Sequence, residues 1–258
     1  MDTTEALELI ASLKGYLHDL RDTGVDGLPV RSATAPLTIT APSEAVPQPP
    51  VQPAESPVTD SSLASLSHGQ AMGLDGVREE LGDCRRCGLS STRTKLLFGA
   101  GNPAARLVFV GDAPGGDEDR QGIPFADEAG GLLTKIIQAM GLHRDEVYLC
   151  NVIKCRPPQD RDPHPDEIRH CLPFLLKQLQ AIGPEIIVAL GTFASQTLLR
   201  TKEPISKLRG VFHDYHGIPL MPTFHPAYLL RNASMKREVW EDMQKVMKRL
   251  GMEAPAKR

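Results

Sequence analysis

Apolar residues along the chain form four short runs separated by segments with helical spacing. The runs at residues 106–111, 146–154, 185–191 and 218–224 are rich in Val, Ile and Leu, which is typical of buried strands. Between and after them, apolar positions recur every three or four residues over 127–141, 164–184, 191–200 and 234–251, which predicts helices. Pro173 is expected to kink or split the second helix. The alternation predicts an α/β fold, a three-layer α/β/α sandwich with a central, mostly parallel four-stranded sheet.

The first 75 residues follow a different pattern. Within residues 1–24 one apolar stripe at helical spacing, formed by Leu7, Ile10, Leu13, Leu17 and Leu20, predicts an amphipathic helix. Residues 25–75 hold eight prolines between positions 29 and 57 and show no apolar periodicity, which predicts a disordered linker. We expect the helix to pack on the domain, to self-associate or to dock on a partner protein. Residues 76–252 form the predicted folded domain.

Composition and charge narrow the possible partners and compartment. No run of 18 apolar residues is present, so no membrane span is expected, and the acidic N-terminus shows no secretory signal. We therefore expect a cytoplasmic protein, and a monomer. The net charge of −3 divides into −7 for residues 1–75 and +4 for residues 76–258. The folded part is mildly basic, which permits DNA binding without requiring it.

Three polar segments follow predicted strands, where parallel sheets form their binding sites. They read GDAPG at 111–115, NVIKCRPP at 151–158 and FHPAYLLR at 224–231. Gly111 and the turn after it would present the Asp112 carboxylate at the end of its strand. The sequence GDAPGG lacks the G-x-G-x-x-G form, which disfavours a nucleotide-binding Rossmann protein.

Four of the five cysteines have the spacing of a metal site. Cys84 and Cys87 form a C-x2-C pair, whereas Cys155 and Cys171 are separated by 15 residues. One tight pair and one open pair favour a four-cysteine metal site, and the spacing leaves iron–sulfur and zinc both open. Cys150 lies in a strand pattern and is interpreted as a buried small apolar residue.

These segments together resemble the family 4 uracil-DNA glycosylases, the iron–sulfur branch of that superfamily. The matching text is GDAPGGDEDRQGIPF at 111–125, NVIKCRPPQDRDPHPDEIRHC at 151–171 and HPAYLLR at 225–231, with the C-x2-C pair upstream. The resemblance covers roughly residues 76–250. It implies a structural [4Fe-4S] cluster on Cys84, Cys87, Cys155 and Cys171, with zinc as the alternative. Asp112 departs from the family, which usually has Glu at this position.

The resemblance also implies roles for the residues at the strand ends. His225 would face the uracil oxygen whose negative charge grows as the glycosidic bond breaks, or it would only cap the following turn. Asp112 would position the hydrolytic water, and Asn151 would read the edge of a flipped base. Phe125 would stack on that base, beside Gly111 and Ala113 in the substrate-binding set. A turn carboxylate, a turn Asn and a core Phe are the structural alternatives.

The predicted DNA contacts lie in the same segments. Leu229 and Leu230 would supply a wedge that fills the gap left by the base, although they would face the core if they begin a helix. Contacts with phosphate are predicted for four basic residues, Arg231, Lys154, Arg156 and Arg161. The acidic run at 117–119 is expected to be solvated or to cap the next turn.

The resulting prediction is a monofunctional DNA glycosylase. It would hydrolyse the bond between uracil and deoxyribose in DNA, leave an abasic site and so begin base-excision repair. No lysine stands out as a Schiff-base nucleophile, so strand cleavage by the enzyme is not expected. The alternative is a non-catalytic or phage-polymerase-associated DNA-binding module of the same fold.

Overall fold

The computed structural model describes residues 73–252, and its centre is a six-stranded sheet. The strands are β1 (Ala100–Gly101), β2 (Leu107–Gly111), β3 (Tyr148–Asn151), β4 (Ile186–Leu190), β5 (His213–Tyr215) and β6 (Ile218–Thr223). Their order across the sheet is β1-β3-β2-β4-β6-β5. The predicted N-terminal helix and nearly all of the predicted linker lie outside the described residues.

Helices precede, separate and follow these strands. They are α1 (Leu74–Leu81), α2 (Gly116–Gln121), α3 (Glu128–Ala139), α4 (Pro165–Ile182), α5 (Gly191–Leu199), α6 (Ile205–Leu208), α7 (Pro226–Arg231) and α8 (Lys236–Arg249). Helix α4 continues through Pro173 and is not split there, because its buried face holds both halves against the sheet. Between residues 73 and 252 no helix combines the length and the apolar character needed to cross a membrane.

The sheet is covered on both faces, which confirms the three-layer arrangement. On one face, Leu133 of α3 and Val246 of α8 share a core with Phe109 of β2. On the other face, Leu175 of α4 joins Val108 of β2. All residues of β2, β3 and β4 are buried, as expected for strands between two helical layers.

The predicted count of four strands is wrong, because two short strands extend the sheet at its edges. The four predicted strands form the parallel centre, β3-β2-β4-β6. Strands β1 and β5 pair antiparallel with β3 and β6. With two and three residues, and the sequence His-Asp-Tyr in β5, they are too short to show an alternating pattern.

The parallel centre brings the polar segments to one edge of the sheet. Gly111 at the end of β2 lies opposite Asn151 at the end of β3. Leu190 at the end of β4 lies opposite Thr223 at the end of β6, two residues before His225. The predicted site residues therefore lie at the ends of three strands of the parallel centre, β2, β3 and β6.

Candidate active site

Asn151 at the end of β3 and the Phe125 ring both lie close to Gly111 at the end of β2. A side-chain carbon on Gly111 would lie 2.5 Å from Asn151 Oδ1 and 2.7 Å from Phe125 Cζ, so only glycine fits at this position. Asn151 and Phe125 are both buried. Within residues 73–252, no protein group hydrogen-bonds the Asn151 side-chain amide, which leaves its donors and acceptor for a ligand.

The Asp112 carboxylate is anchored to the start of helix α5. Its Oδ1 accepts a hydrogen bond from the Ala194 backbone N–H at 2.8 Å. Burial raises the pKa of Asp112 to about 7, the bond from Ala194 opposes this shift, and the charge of Asp162 adds to it. Asp112 therefore titrates near neutral pH, where a carboxyl can change role with small changes in proton concentration.

His225 lies across Gly191 from Asp112 and caps helix α7. A side-chain carbon on Gly191 would lie 3.0 Å from His225 Cβ and 3.3 Å from Asp112 Oδ2, so the two residues flank one glycine. His225 Nδ1 accepts a hydrogen bond from the Ala227 backbone N–H at 3.2 Å. Burial lowers the pKa of His225 to about 4. The ring is therefore neutral at pH 7, with its proton on Nε2.

Aromatic rings and an open cleft complete this region. The rings of Phe125 and His225 lie 6.2 Å apart at an interplanar angle of 29°. A cleft of about 780 Å³ runs outward from Asp112 and His225, past Tyr228 and Arg231. Ala113, the remaining predicted member of the substrate-binding set, packs against the core of the domain. Phe125 therefore lies next to the inner end of this cleft, where His225 lines it.

The four predicted ligand cysteines line one cavity. Cys84, Cys87, Cys155 and Cys171 surround it together with Arg86, Arg93 and Lys154. Cys150 lies instead in strand β3 and is buried in the core, as predicted.

Nitrogen donors point at three of these sulfurs. Arg86 Nη1 lies 3.3 Å from Cys84 Sγ and Arg93 Nη1 lies 3.3 Å from Cys155 Sγ. The backbone N–H of residue 154 lies 3.2 Å from Cys171 Sγ. Burial raises the pKa of the Cys155 thiol to about 11, so its thiolate needs a bound cation to persist. Across residues 73–252, no three His, Cys, Asp or Glu side chains are placed to hold a single metal ion.

Comparison with known proteins decides the family. The profile of the Uracil DNA glycosylase superfamily matches residues 98–244. The chain is 46% identical over 176 residues to the type-4 uracil-DNA glycosylase of Thermotoga maritima, in an alignment that covers 67% of this chain and 92% of that protein. This chain belongs to the type-4 uracil-DNA glycosylase family. The resemblance inferred from the motifs is confirmed.

Two further relatives differ in how much of their own length matches this chain. The type-4 uracil-DNA glycosylase of Archaeoglobus fulgidus is 39% identical over 190 residues, which covers 70% of this chain and 96% of that protein. A DNA polymerase of Bacillus phage SP01 is 27% identical over 157 residues, which covers 60% of this chain and 17% of that polymerase. The type-4 proteins match almost from end to end, whereas the polymerase shares only a part of its length.

Two DNA contacts predicted for this type-4 family member are wrong. Leu229 is 1% exposed and packs in the core with α8, so it cannot enter DNA. Lys154 is also 1% exposed, and its Nζ donates to the Asn151 carbonyl at 2.7 Å, so it cannot reach a phosphate. Leu229 is turned inward by its position on helix α7, and Lys154 by the loop that follows β3.

The other predicted contacts lie nearer the surface. Leu230 is 39% exposed, and Arg231 lines the cleft. Arg156 and Arg161 keep part of their side chains exposed while pairing with acidic side chains.

Sequence reasoning missed Tyr228, Glu118 and Arg144. Tyr228 is 38% exposed, lines the cleft and stacks on Phe224 with ring centroids 5.0 Å apart. Glu118 and Asp119 are buried and accept backbone hydrogen bonds, so the acidic run is not solvated throughout. The sequence Ala-Tyr-Leu gives no signal that selects Tyr228, because its exposure beside half-buried Ala227 and buried Leu229 is visible only in the structure.

Proposed function

We propose that this chain is a uracil-DNA glycosylase that hydrolyses the N-glycosidic bond of uracil in DNA and leaves an abasic site for base-excision repair. The main observation in support is that three segments meet around Gly111 and Gly191 at one edge of the sheet, and that they bring Asp112, Asn151 and His225 together. The names of the full-length relatives support the same substrate.

Base recognition belongs to the pocket around Gly111. The target base must leave the helical stack to reach a buried pocket. The Asn151 amide can donate to one uracil carbonyl and accept from the adjacent ring N–H, while the Phe125 ring covers the face of the base. Gly111 keeps the floor of the pocket flat, because any side chain there would meet both partners.

His225 stabilises the leaving base as a neutral donor. Its Nδ1 is occupied by the Ala227 N–H, so the Nε2–H is the group that remains for the substrate. Negative charge grows on a uracil carbonyl oxygen as the glycosidic bond breaks, and a fixed donor in a dry site stabilises that charge. A neutral imidazole does this without the free-energy cost of holding a positive charge in a buried site.

Asp112 orients the attacking water in its ionised form. Its Oδ1 is held by Ala194, so Oδ2 is the oxygen left to accept a hydrogen bond from water. The carboxylate charge also stabilises the positive sugar that forms as the base departs. Asp is one methylene shorter than the Glu of the family, and the anchor on helix α5 fixes where that shorter side chain ends.

DNA binds along the cleft that leads to the pocket. Arg231 meets phosphate there, and Leu230 and Tyr228 are the exposed apolar groups that can fill the gap left by the base. Arg156 adds charge at the start of helix α2, where its guanidinium lies about a van der Waals contact from Gly116. The net charge of +4 on residues 76–258 supports this binding.

The cysteine cavity holds a [4Fe-4S] cluster whose role is structural. Each iron of such a cluster takes one thiolate, so its four sulfurs stand apart, whereas zinc needs all four about 2.3 Å from one point. The four cysteines line one cavity, which fits a group held by four thiolates, and the resemblance to the iron–sulfur branch favours the cluster over zinc. When bound, the cluster ties Cys84–Cys87 to the segments that follow β3 and begin α4. The N–H groups of Arg86 and Arg93 then balance part of its negative charge.

Strand scission by hot alkali tests this function. Full-length protein is incubated with a labelled oligonucleotide that carries one uracil, beside the variant His225→Ala and the control His143→Ala, which changes an exposed histidine. We expect cleavage at the uracil by the wild type and by the control, and a loss of about 100-fold or more for His225→Ala. No cleavage by iron-loaded wild type would favour the non-catalytic DNA-binding module, a role to which the match with the phage polymerase lends some support.

A further inference from the structure

Phe125 has a backbone conformation that its residue type disfavours. Its φ is +53°, in the left-handed region, although it is neither glycine nor asparagine. A residue keeps such a conformation only when its surroundings hold it there. Phe125 is also the ring that contacts Gly111 and faces His225, so the strained residue lies in the site itself.

Charged side chains hold the peptide groups on both sides of Phe125. The Glu118 carboxylate accepts from the Phe125 N–H through one oxygen and from the Gly115 N–H at 2.6 Å through the other. The Arg144 Nη2 donates to the Phe125 carbonyl at 3.0 Å and to the Pro124 carbonyl at 2.6 Å. Glu118 is 6% exposed, so these bonds are shielded from water.

Arg144 reaches this loop from the segment after helix α3. Its Nη1 donates to Thr134 Oγ1 at 2.9 Å on that helix, so one guanidinium joins α3 to the Phe125 loop. The loop and the helix also meet at Gly130, where a side-chain carbon would lie 1.8 Å from the Phe125 carbonyl oxygen. The planar fork of arginine can hold two carbonyls and a hydroxyl together, which a lysine ammonium cannot reproduce.

We propose that Arg144 is a positioning residue for base capture: with Glu118, it holds Phe125 in the conformation that places its ring over the flipped base. The inference rests on the proposed function, because it assigns Phe125 to base stacking. Arg144 itself touches no substrate. Its effect passes through the Phe125 ring, and so it should disappear when that ring is removed.

A double-mutant cycle on inhibition by free uracil tests this route. The variants are Arg144→Met, Phe125→Ala and their combination, with the inhibition constant of uracil measured against cleavage of the uracil oligonucleotide. We expect Arg144→Met and Phe125→Ala each to weaken inhibition about tenfold, and the double variant to be no weaker than Phe125→Ala. Arg144→Lys should recover only part of the loss.

A matched control separates positioning from stability. Gln178 is a buried polar residue that bonds the Phe98 carbonyl at 2.8 Å in another part of the domain. Gln178→Met should lower the unfolding temperature while leaving inhibition by uracil unchanged.

Three results would overturn the inference. They are unchanged inhibition in Arg144→Met, additive effects in the double variant, and an equal loss in Gln178→Met. If Arg144→Met does not fold, Arg144→Lys completes the same cycle. A wild type that leaves uracil DNA intact would instead defeat the proposed function, and the inference with it, so the two failures are distinguishable.

Discussion

The base pocket and the cysteine cavity lie at opposite ends of one five-residue segment, yet they differ in whether their surroundings disfavour or supply charged groups. Asn151 begins this segment in the pocket, and Cys155 ends it in the cavity. In the pocket, burial holds His225 neutral and raises the pKa of Asp112 to about 7. In the cavity, arginine N–H groups surround the sulfurs. Burial therefore disfavours charged side chains in the first region, whereas arginine side chains bring positive charge to the sulfurs in the second.

The segment between them is fixed along its length. The Val152 N–H donates to the Gly111 carbonyl at 2.9 Å, and the Ile153 N–H donates to the Asp112 carbonyl at 3.0 Å. The Lys154 carbonyl accepts from the Leu97 N–H at 2.8 Å. The two regions are therefore linked by one backbone segment but have different electrostatic environments. We expect substitutions in one region to leave the other intact.

The largest expected effect is in the cavity. Cys155→Ser should abolish stoichiometric iron and cost several kcal/mol of stability, because ligand bonds made only in the folded state contribute directly to folding. Iron content and the unfolding temperature are the measurements. Cys150→Ala, at a buried cysteine outside the cavity, should lower stability while retaining iron. Equal iron loss in both variants would contradict the assignment of ligands.

Gly111→Ala should break the pocket alone. The added carbon would displace Asn151 or Phe125, and a shift of about 1 Å in a site can cost about 100-fold in rate. Iron content should not change. The control is Gly131→Ala, since a side-chain carbon at Gly131 of helix α3 meets nothing within 4 Å. Single-turnover rates that match in the two variants would show that the pocket is more adaptable than this geometry indicates.

The pH dependence of the single-turnover rate should report Asp112. Below its pKa of about 7 the carboxyl is protonated and offers the water no charged acceptor, so the rate should rise about tenfold per pH unit until pH 7 and then level off. His225, with a pKa of about 4, should add no step between pH 5 and 9. Asp112→Asn should lose the inflection as well as most of the rate. An inflection that survives this substitution belongs to another group.

The smallest expected effect is the net change with pH in the free energy of unfolding of the wild type, because Asp112 and His225 change it in opposite directions. Folded Asp112 keeps its proton between pH 3.8 and about 7 while the unfolded chain releases it, so stability falls as pH rises through that window. His225 stays neutral in the folded state between about pH 4 and 6.5 while the unfolded chain binds a proton, so stability rises with pH there. Each slope is about 1.4 kcal/mol per pH unit.

These two slopes largely offset each other in the wild type between pH 4 and 6.5. Asp112→Asn should expose the rise due to His225, and His225→Gln should expose the fall due to Asp112. Unfolding temperatures measured from pH 4 to 7.5 check both. Parallel curves for the wild type and both variants would show that neither group is as buried in solution as in this structure.

Periodicity predicted the centre of the molecule because buried strands and amphipathic helices repeat over many residues. It predicted which segments would meet, because parallel strands end at one edge of the sheet, and the resemblance then selected Asp112, Asn151 and His225 within them. It could not resolve Leu229 from Leu230, since one position along a short helix decides which side chain faces the core. Lys154 was misread for a related reason: a lysine is assigned to solvent unless a buried carbonyl, here that of Asn151, is known to receive it. Arg144 acts 19 residues away from Phe125, and no local pattern connects them.

The hydrogen bond from Ala227 to His225 limits what evolution or design can place at position 225. One ring nitrogen accepts a hydrogen bond from the backbone. The other carries the proton and points away from a different edge of the same planar ring. Asp or Ser could accept the same backbone hydrogen bond, but neither has a donor placed a ring's width away that points in the opposite direction. Asn carries its donor and its acceptor on a single carbon. In the proposed mechanism histidine is therefore required at position 225 for its shape as well as its chemistry, and we expect a substitution that preserves the start of helix α7 to lose activity.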